Sequence, residues 1–158
     1  MAKTNQEMAA EFKSYIPFIE GLQALDETLW DRPIEEGKWS LKALVAHLLK
    51  WDQYFYEEAI AKIRRQEPLT VRHLNFDEFN YNARIYSETQ TKEELIAQFI
   101  DWRSKIVEAI GGLDDSEFEK EYVDGDRKKF NIRNYVRSFI SHDKHHRKQI
   151  EKFLKALR

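Results

Sequence analysis

The sequence predicts an all-α protein, a four-helix bundle with a long crossover between its second and third helices. Three observations predict it. Apolar residues return every three or four positions in four separate stretches, which is the period of one helix face. Gly 5 and Pro 3 are too few for a sandwich or barrel, which needs turn residues every ten positions or so. The 158 residues leave room for one domain, over 1–158, and 13% aromatic residues supply the large burials that offset ordering entropy.

In the first helix, from Gln6 to about Leu29, the stripe is Met8, Phe12, Tyr15, Ile19, Leu22 and Leu25. Pro17 lies inside this stretch and either kinks the helix or marks its effective start. Asp31 to Gly37 is a connection. Ser40 then offers an N-cap, and Leu41, Leu44, Leu48, Trp51, Phe55, Ala59 and Ile63 carry the second helix to about Arg65. Residues 66–90 form the crossover, where Asn75 and Glu78 are spaced as a capping box for a short helix. That length permits parallel second and third helices without requiring them. Thr91 and Glu94 form a stronger box for the third helix, whose stripe is Leu95, Phe99, Trp102, Ile106 and Ile110 before Gly111 and Gly112 stop it. A polar loop of about twenty residues leads to Asn131, the expected cap of the last helix. Tyr135, Val136, Phe139, Ile140, Ile150, Phe153, Leu154 and Leu157 are its apolar face.

Lys plus Arg 26 against Asp plus Glu 28 gives a net charge of -2, so the basic footprint of a nucleic-acid binder is missing. With Cys 0 there is no disulfide, no protein thiolate and no cysteine metal site, so any metal must be held by His, Asp or Glu. The segment MAKTNQEMAAEFKSY lacks the apolar stretch of a signal peptide, and no apolar run reaches the length of a membrane span. The expectation is a cytoplasmic protein that acts on a small molecule and partners neither nucleic acid nor membrane.

Among the five histidines, His142 and His146 stand four apart, roughly 40° around a helix and one turn from each other. That spacing offers two imidazoles to one metal. His146 sits roughly 40° and His142 roughly 80° from the centre of the apolar stripe, whereas His145, at roughly 140°, should face water. His47 has a comparable boundary position in the second helix, roughly 90° from its stripe. Three neutral imidazoles in near-tetrahedral array leave a fourth position open, as catalytic sites do, and zinc or nickel suits them. Spacing alone leaves the blander readings open: a solvated HxxxH pair, and His47 as a satisfied boundary residue. His73, in the Pro-containing crossover, reads as a loop residue.

Two segments carry a family resemblance. EGKWSLKALVAHLLKW, residues 36–51, resembles the opening of the second helix in the DinB/YfiT-like superfamily of metalloenzymes, and HDKHHRKQI, residues 142–150, is similar to that family's final-helix HxxxHxxxI segment. The resemblance spans essentially the whole chain. It implies a bundle with two outer antiparallel pairs and a parallel middle pair, and it carries the family's three metal-binding histidines onto His47, His142 and His146. The stretch from Asn75 to Asn80 is loosely similar to the branch that contains the colibactin self-resistance hydrolase.

The resemblance implies a divalent-metal enzyme, either an S-transferase using a low-molecular-weight thiol such as bacillithiol or a hydrolase, acting on a small electrophile. A metal-binding stress-linked bundle without turnover is the alternative, and family habit implies a homodimer. Without cysteine, any thiol must arrive with substrate or cofactor. Asp143 can orient an imidazole or serve as a solvated or capping acid. Arg103, beside Trp102, can meet an anionic cofactor group or make a surface salt bridge. Trp51, one turn beyond His47, is a candidate pocket residue.

Overall fold

A computed structural model describes residues 3–157; residues 1, 2 and 158 of the expected domain lie outside the described residues. Four helical stretches run the length of the bundle. The first is broken: Asn5–Lys13 and Tyr15–Glu20 are separate helices, followed by a 3-10 turn over Gly21–Ala24. Asp26 then caps a short helix, Glu27–Trp30. The continuous helix expected to about Leu29 is corrected here, and Pro17 is the cause. Its ring clashes with the carbonyl four residues back, which is that of Lys13, the last residue of the first segment.

The second helix runs through Leu41–Phe55, a π-helical turn over Tyr56–Ile60, and Ala61–Arg64. The wide turn rotates the buried face, so Ala59, Ile60 and Ala61 are all buried while Ile63 is only half-buried. Within the crossover, Asn75 caps Phe76–Ser87, its side-chain oxygen accepting from the Glu78 N–H at 3.0 Å. The full reciprocal box forms at Thr91 and Glu94, opening Lys92–Gly111. The polar loop before Asn131 is more structured than expected. It contains a helix, Asp115–Glu119, and an antiparallel pair of strands, β1 (Tyr122–Val123) and β2 (Lys129–Phe130). Asn131 caps the last helix, Ile132–Ala156.

Side-chain pairs set the helix directions. Asp52 meets Arg103, and Tyr56 meets Trp102, while Leu44 shares a core cluster with Leu95 and Ile60 one with Ile106. Numbers rise together, so the second and third helices are parallel. Between the second and last helices they run oppositely, through Phe55–Tyr135, Trp51–Phe139 and His47–His146. The first helix is parallel to the last, through Asn5–Arg133 and Phe18–Arg147. The long crossover is what lets two sequential helices point the same way. Among the described residues, no helix is long and apolar enough to cross a membrane.

One polar layer divides the apolar core. Arg103 is fully buried, between Phe99 of one apolar cluster and Ile106 of the other. Its five N–H groups are all used. Nε and Nη2 donate to the two oxygens of Asp52 at 2.7 and 3.2 Å. Nη1 and Nη2 donate to those of Asp143 at 2.8 and 3.3 Å, and Nη1 also donates to the Phe12 carbonyl at 3.0 Å. One guanidinium therefore ties all four helices together.

Candidate metal centre

The fold brings three of the five histidines together. His47 comes from the middle of the second helix, His142 and His146 from successive turns of the last helix. The His47 and His142 Nε2 atoms are 3.1 Å apart, as are those of His142 and His146. One ligand atom from each residue lies within 4.8 Å of the other two. Nitrogens held tetrahedrally at zinc–nitrogen bonds of about 2.0–2.1 Å sit about 3.3 Å apart, so the spacing matches a shared ion.

The hydrogen bonds behind the rings select the tautomers. Asn80, on the crossover helix, accepts at Oδ1 from the Trp51 Nε1–H at 2.9 Å. An indole N–H only donates, so that atom is the amide oxygen. The same oxygen lies 2.9 Å from His47 Nδ1, which must therefore carry the hydrogen and leave Nε2 with a lone pair. His146 Nδ1 likewise donates to Gln149 Oε1 at 2.7 Å. His142 Nε2 has at most one hydrogen to share between two bare neighbours. At least one of the two 3.1 Å contacts therefore has no hydrogen between its nitrogens, leaving a bare Nε2 lone pair there without a donor. A cation among the three nitrogens turns that lone pair into a ligand, so the donor set fits a divalent metal.

Burial favours the neutral rings that a metal needs. Desolvation, reinforced by the neighbouring imidazoles, pushes His47 down to about 4 and His142 to about 3; His146 is lowered as well, again chiefly by burial. Protons compete with a metal only when they can occupy the same nitrogens. Metal affinity is therefore expected to decline only at a pH below the range of free imidazole. Competitive chelator titrations at a series of pH values check this, and a midpoint near 6.5 would contradict it.

Aromatic rings wall the cluster. Trp39 lies edge-on to His47 with centroids 5.0 Å apart, and Phe139 lies 5.2 Å from His142. His142 Nδ1 is buried without a partner, so packing rather than a hydrogen bond orients that ring. His145 is exposed, and His73 stays in the crossover, packed on Phe76.

The other candidates fall elsewhere than expected. Arg103 is neither at the imidazole cluster nor on the surface; it occupies the core layer described above. Asp143 touches no imidazole and is neither solvated nor a cap, because both its oxygens accept from Arg103. Burial raises its carboxyl to about 6, with the Arg103 charge opposing that rise. Trp51 is buried with its ring 4.0 Å from Phe79, and it serves the site through Asn80. Asn80 is the functional residue that sequence reasoning passed over, since nothing in its helix pattern links it to His47, 33 positions earlier.

Asn80→Leu is expected to weaken metal binding about 10- to 100-fold, the usual effect of removing the partner behind a ligating imidazole. Asn80→Asp keeps the acceptor and should keep the affinity. Equal affinities for Asn80→Leu and the unsubstituted protein would show that the hydrogen bond does not orient the ligand.

A search of curated protein sequences finds no match. A solved structure, YfiT from Bacillus subtilis, superposes with a TM-score of 0.75 at 14% identity, covering 99% of this chain and 90% of that one. It is described as a probable metal-dependent hydrolase with an unusual four-helix bundle topology. At that identity the likeness shows the fold alone. Residues 18–150 match the sequence profile of the DinB superfamily, a span that includes His47, His142 and His146. The chain belongs to the DinB superfamily.

Proposed function

We propose that this protein is a metal-dependent hydrolase that cleaves a small electrophilic substrate. The observation that carries the reading is the convergence of three imidazoles on one point, with His142 Nε2 3.1 Å from the Nε2 of both His47 and His146. Three protein ligands leave a coordination position for water or substrate, which distinguishes a catalytic from a closed structural site. A divalent ion held there supplies Lewis acidity and lowers the pKa of a bound water to about 7.

The chain's own residues do the rest by holding geometry. Asn80 and Gln149 fix two imidazoles in the tautomer that presents Nε2. Trp39 and Phe139 restrict water around the rings. Asp52 and Asp143 are no general bases, since all four of their oxygens accept from Arg103. The YfiT description as a probable metal-dependent hydrolase supports the same reaction class.

The test is turnover of an activated ester, p-nitrophenyl acetate, by zinc- or nickel-loaded protein without added thiol. Expected is hydrolysis that disappears with chelator and is missing in His146→Ala. Turnover seen only when a thiol such as cysteine is added would replace hydrolysis by S-transfer, and none in either case would leave a metal-binding bundle without catalysis.

A further inference from the structure

Beside the imidazole cluster, the surface between the 34–39 connection and the last helix is concave. A cavity of about 300 Å³ touches His146 and is lined by Trp39, Leu44, Lys38 and Gln149. A second, of about 400 Å³, continues along the helix past Lys148, Lys152 and Phe153. The two share Ile34 and Gln149 as walls, and Gln149 is the residue that accepts from His146 Nδ1. A molecule lying in this cleft passes directly beside the metal ligands.

Its chemistry is two-sided. Ile34, Trp39, Leu44 and Phe153 give an apolar floor, while Lys38, Lys148 and Lys152 stand at the rim with His145. Glu35 is the acid lining it, and it is engaged by Lys152 at 3.4 Å. Among the described residues, neither Lys38 nor Lys148 makes an ion pair. Lys148 and Lys152 are also four apart on one helix, so their like charges repel. The helix Ile132–Ala156 carries seven Lys and Arg against two acids, in a chain whose net charge is -2. The positive charge is thus concentrated on the element that bears two of the three imidazoles.

We propose that this cleft is a substrate subsite for an amphiphilic anion, an apolar body ending in an oxyanion that Lys38 and Lys148 receive. The inference rests on the hydrolase reading for its meaning as a substrate site, although binding itself does not require the metal. Combined cavities of this size suit a small molecule rather than a polymer.

The test uses 4-phenylbutanoate and its uncharged counterpart 4-phenylbutan-1-ol, followed by amide chemical shifts of the intact protein with and without zinc. Expected is binding of the acid at least about tenfold tighter than the alcohol, with shifts confined to 34–44 and 145–156, in metal-free as well as loaded protein. Lys38→Glu with Lys148→Glu should remove that preference. The remote pair Lys120→Glu with Lys128→Glu makes the same change in net charge and should leave it intact. Equal binding of acid and alcohol, no binding of the acid, or equal loss in both double variants would overturn the proposal. Failure of the hydrolase reading shows separately, as loss of ester turnover while the metal-free protein still prefers the acid.

Discussion

His146→Ala is expected to weaken divalent-metal binding by about 100- to 1,000-fold, whereas His145→Ala leaves it within about twofold. Structural zinc sites distribute roughly 10–16 kcal/mol over four ligands, so one imidazole is worth about 2.5–4 kcal/mol. The contrast between adjacent residues comes from helix geometry. A step of four residues from His142 returns to nearly the same face, and a step of three swings roughly 60° to the other side. The structure shows the consequence: His146 Nε2 lies 3.1 Å from His142 Nε2, and His145 is exposed. A zinc-sensitive dye competing with each variant reads the difference. Equal losses in the two variants would mean that the ligands are wrongly assigned.

Arg103→Met is expected to destabilise the fold by about 3–5 kcal/mol, the cost of leaving a buried charge without its partner. Two carboxylates would lose their donors at once. Asp52 is 1% exposed and Asp143 4%, so water cannot replace the guanidinium without opening the bundle. Arg103→Lys should recover little, since one ammonium cannot reproduce five directed N–H groups. Adding Asp52→Leu and Asp143→Leu to Arg103→Met should restore much of the stability, because no buried charge then remains. Urea denaturation of the three variants measures this, and a loss below about 1 kcal/mol in Arg103→Met would contradict the layer's role. Because Asp143 directly follows His142, the same layer holds one turn of the imidazole site in place.

The bundle was legible in the sequence because helix periodicity reports burial wherever the buried residue is apolar. It misleads where the buried residue is charged. In the third helix the inward face is Leu95, Phe99, Arg103 and Ile106, steps of four, four and three, and Trp102 lies to one side, half-buried. A stripe read from hydropathy takes Trp102 and leaves out Arg103, since ordinary arginines seek water. Asp52 is hidden likewise: it follows Leu48 by four positions and shares its buried face. Both positions are legible only once the partner across the bundle is known, because a buried ion needs its counter-ion.

The imidazole site divides in the same way. The pair His142 and His146 is local geometry, open to inspection in five residues of sequence. His47 joins through a helix packed antiparallel, so spacing suggests it and only tertiary structure brings it within 3.1 Å. Asn80 has no local signature at all. Its role arises from a crossover helix laid over the second helix, where one amide oxygen meets both Trp51 and His47.

Cobalt(II) titration of the metal-free protein reads the ligand set itself, since the visible bands of cobalt report ligand number and geometry. The three-imidazole account predicts bands of four- or five-coordinate intensity that saturate at about one equivalent per chain, vanish on adding zinc, and fail to form in His47→Ala, His142→Ala or His146→Ala. Saturation with the weak bands of hexa-aqua cobalt, or an unchanged spectrum in those three variants, would contradict it.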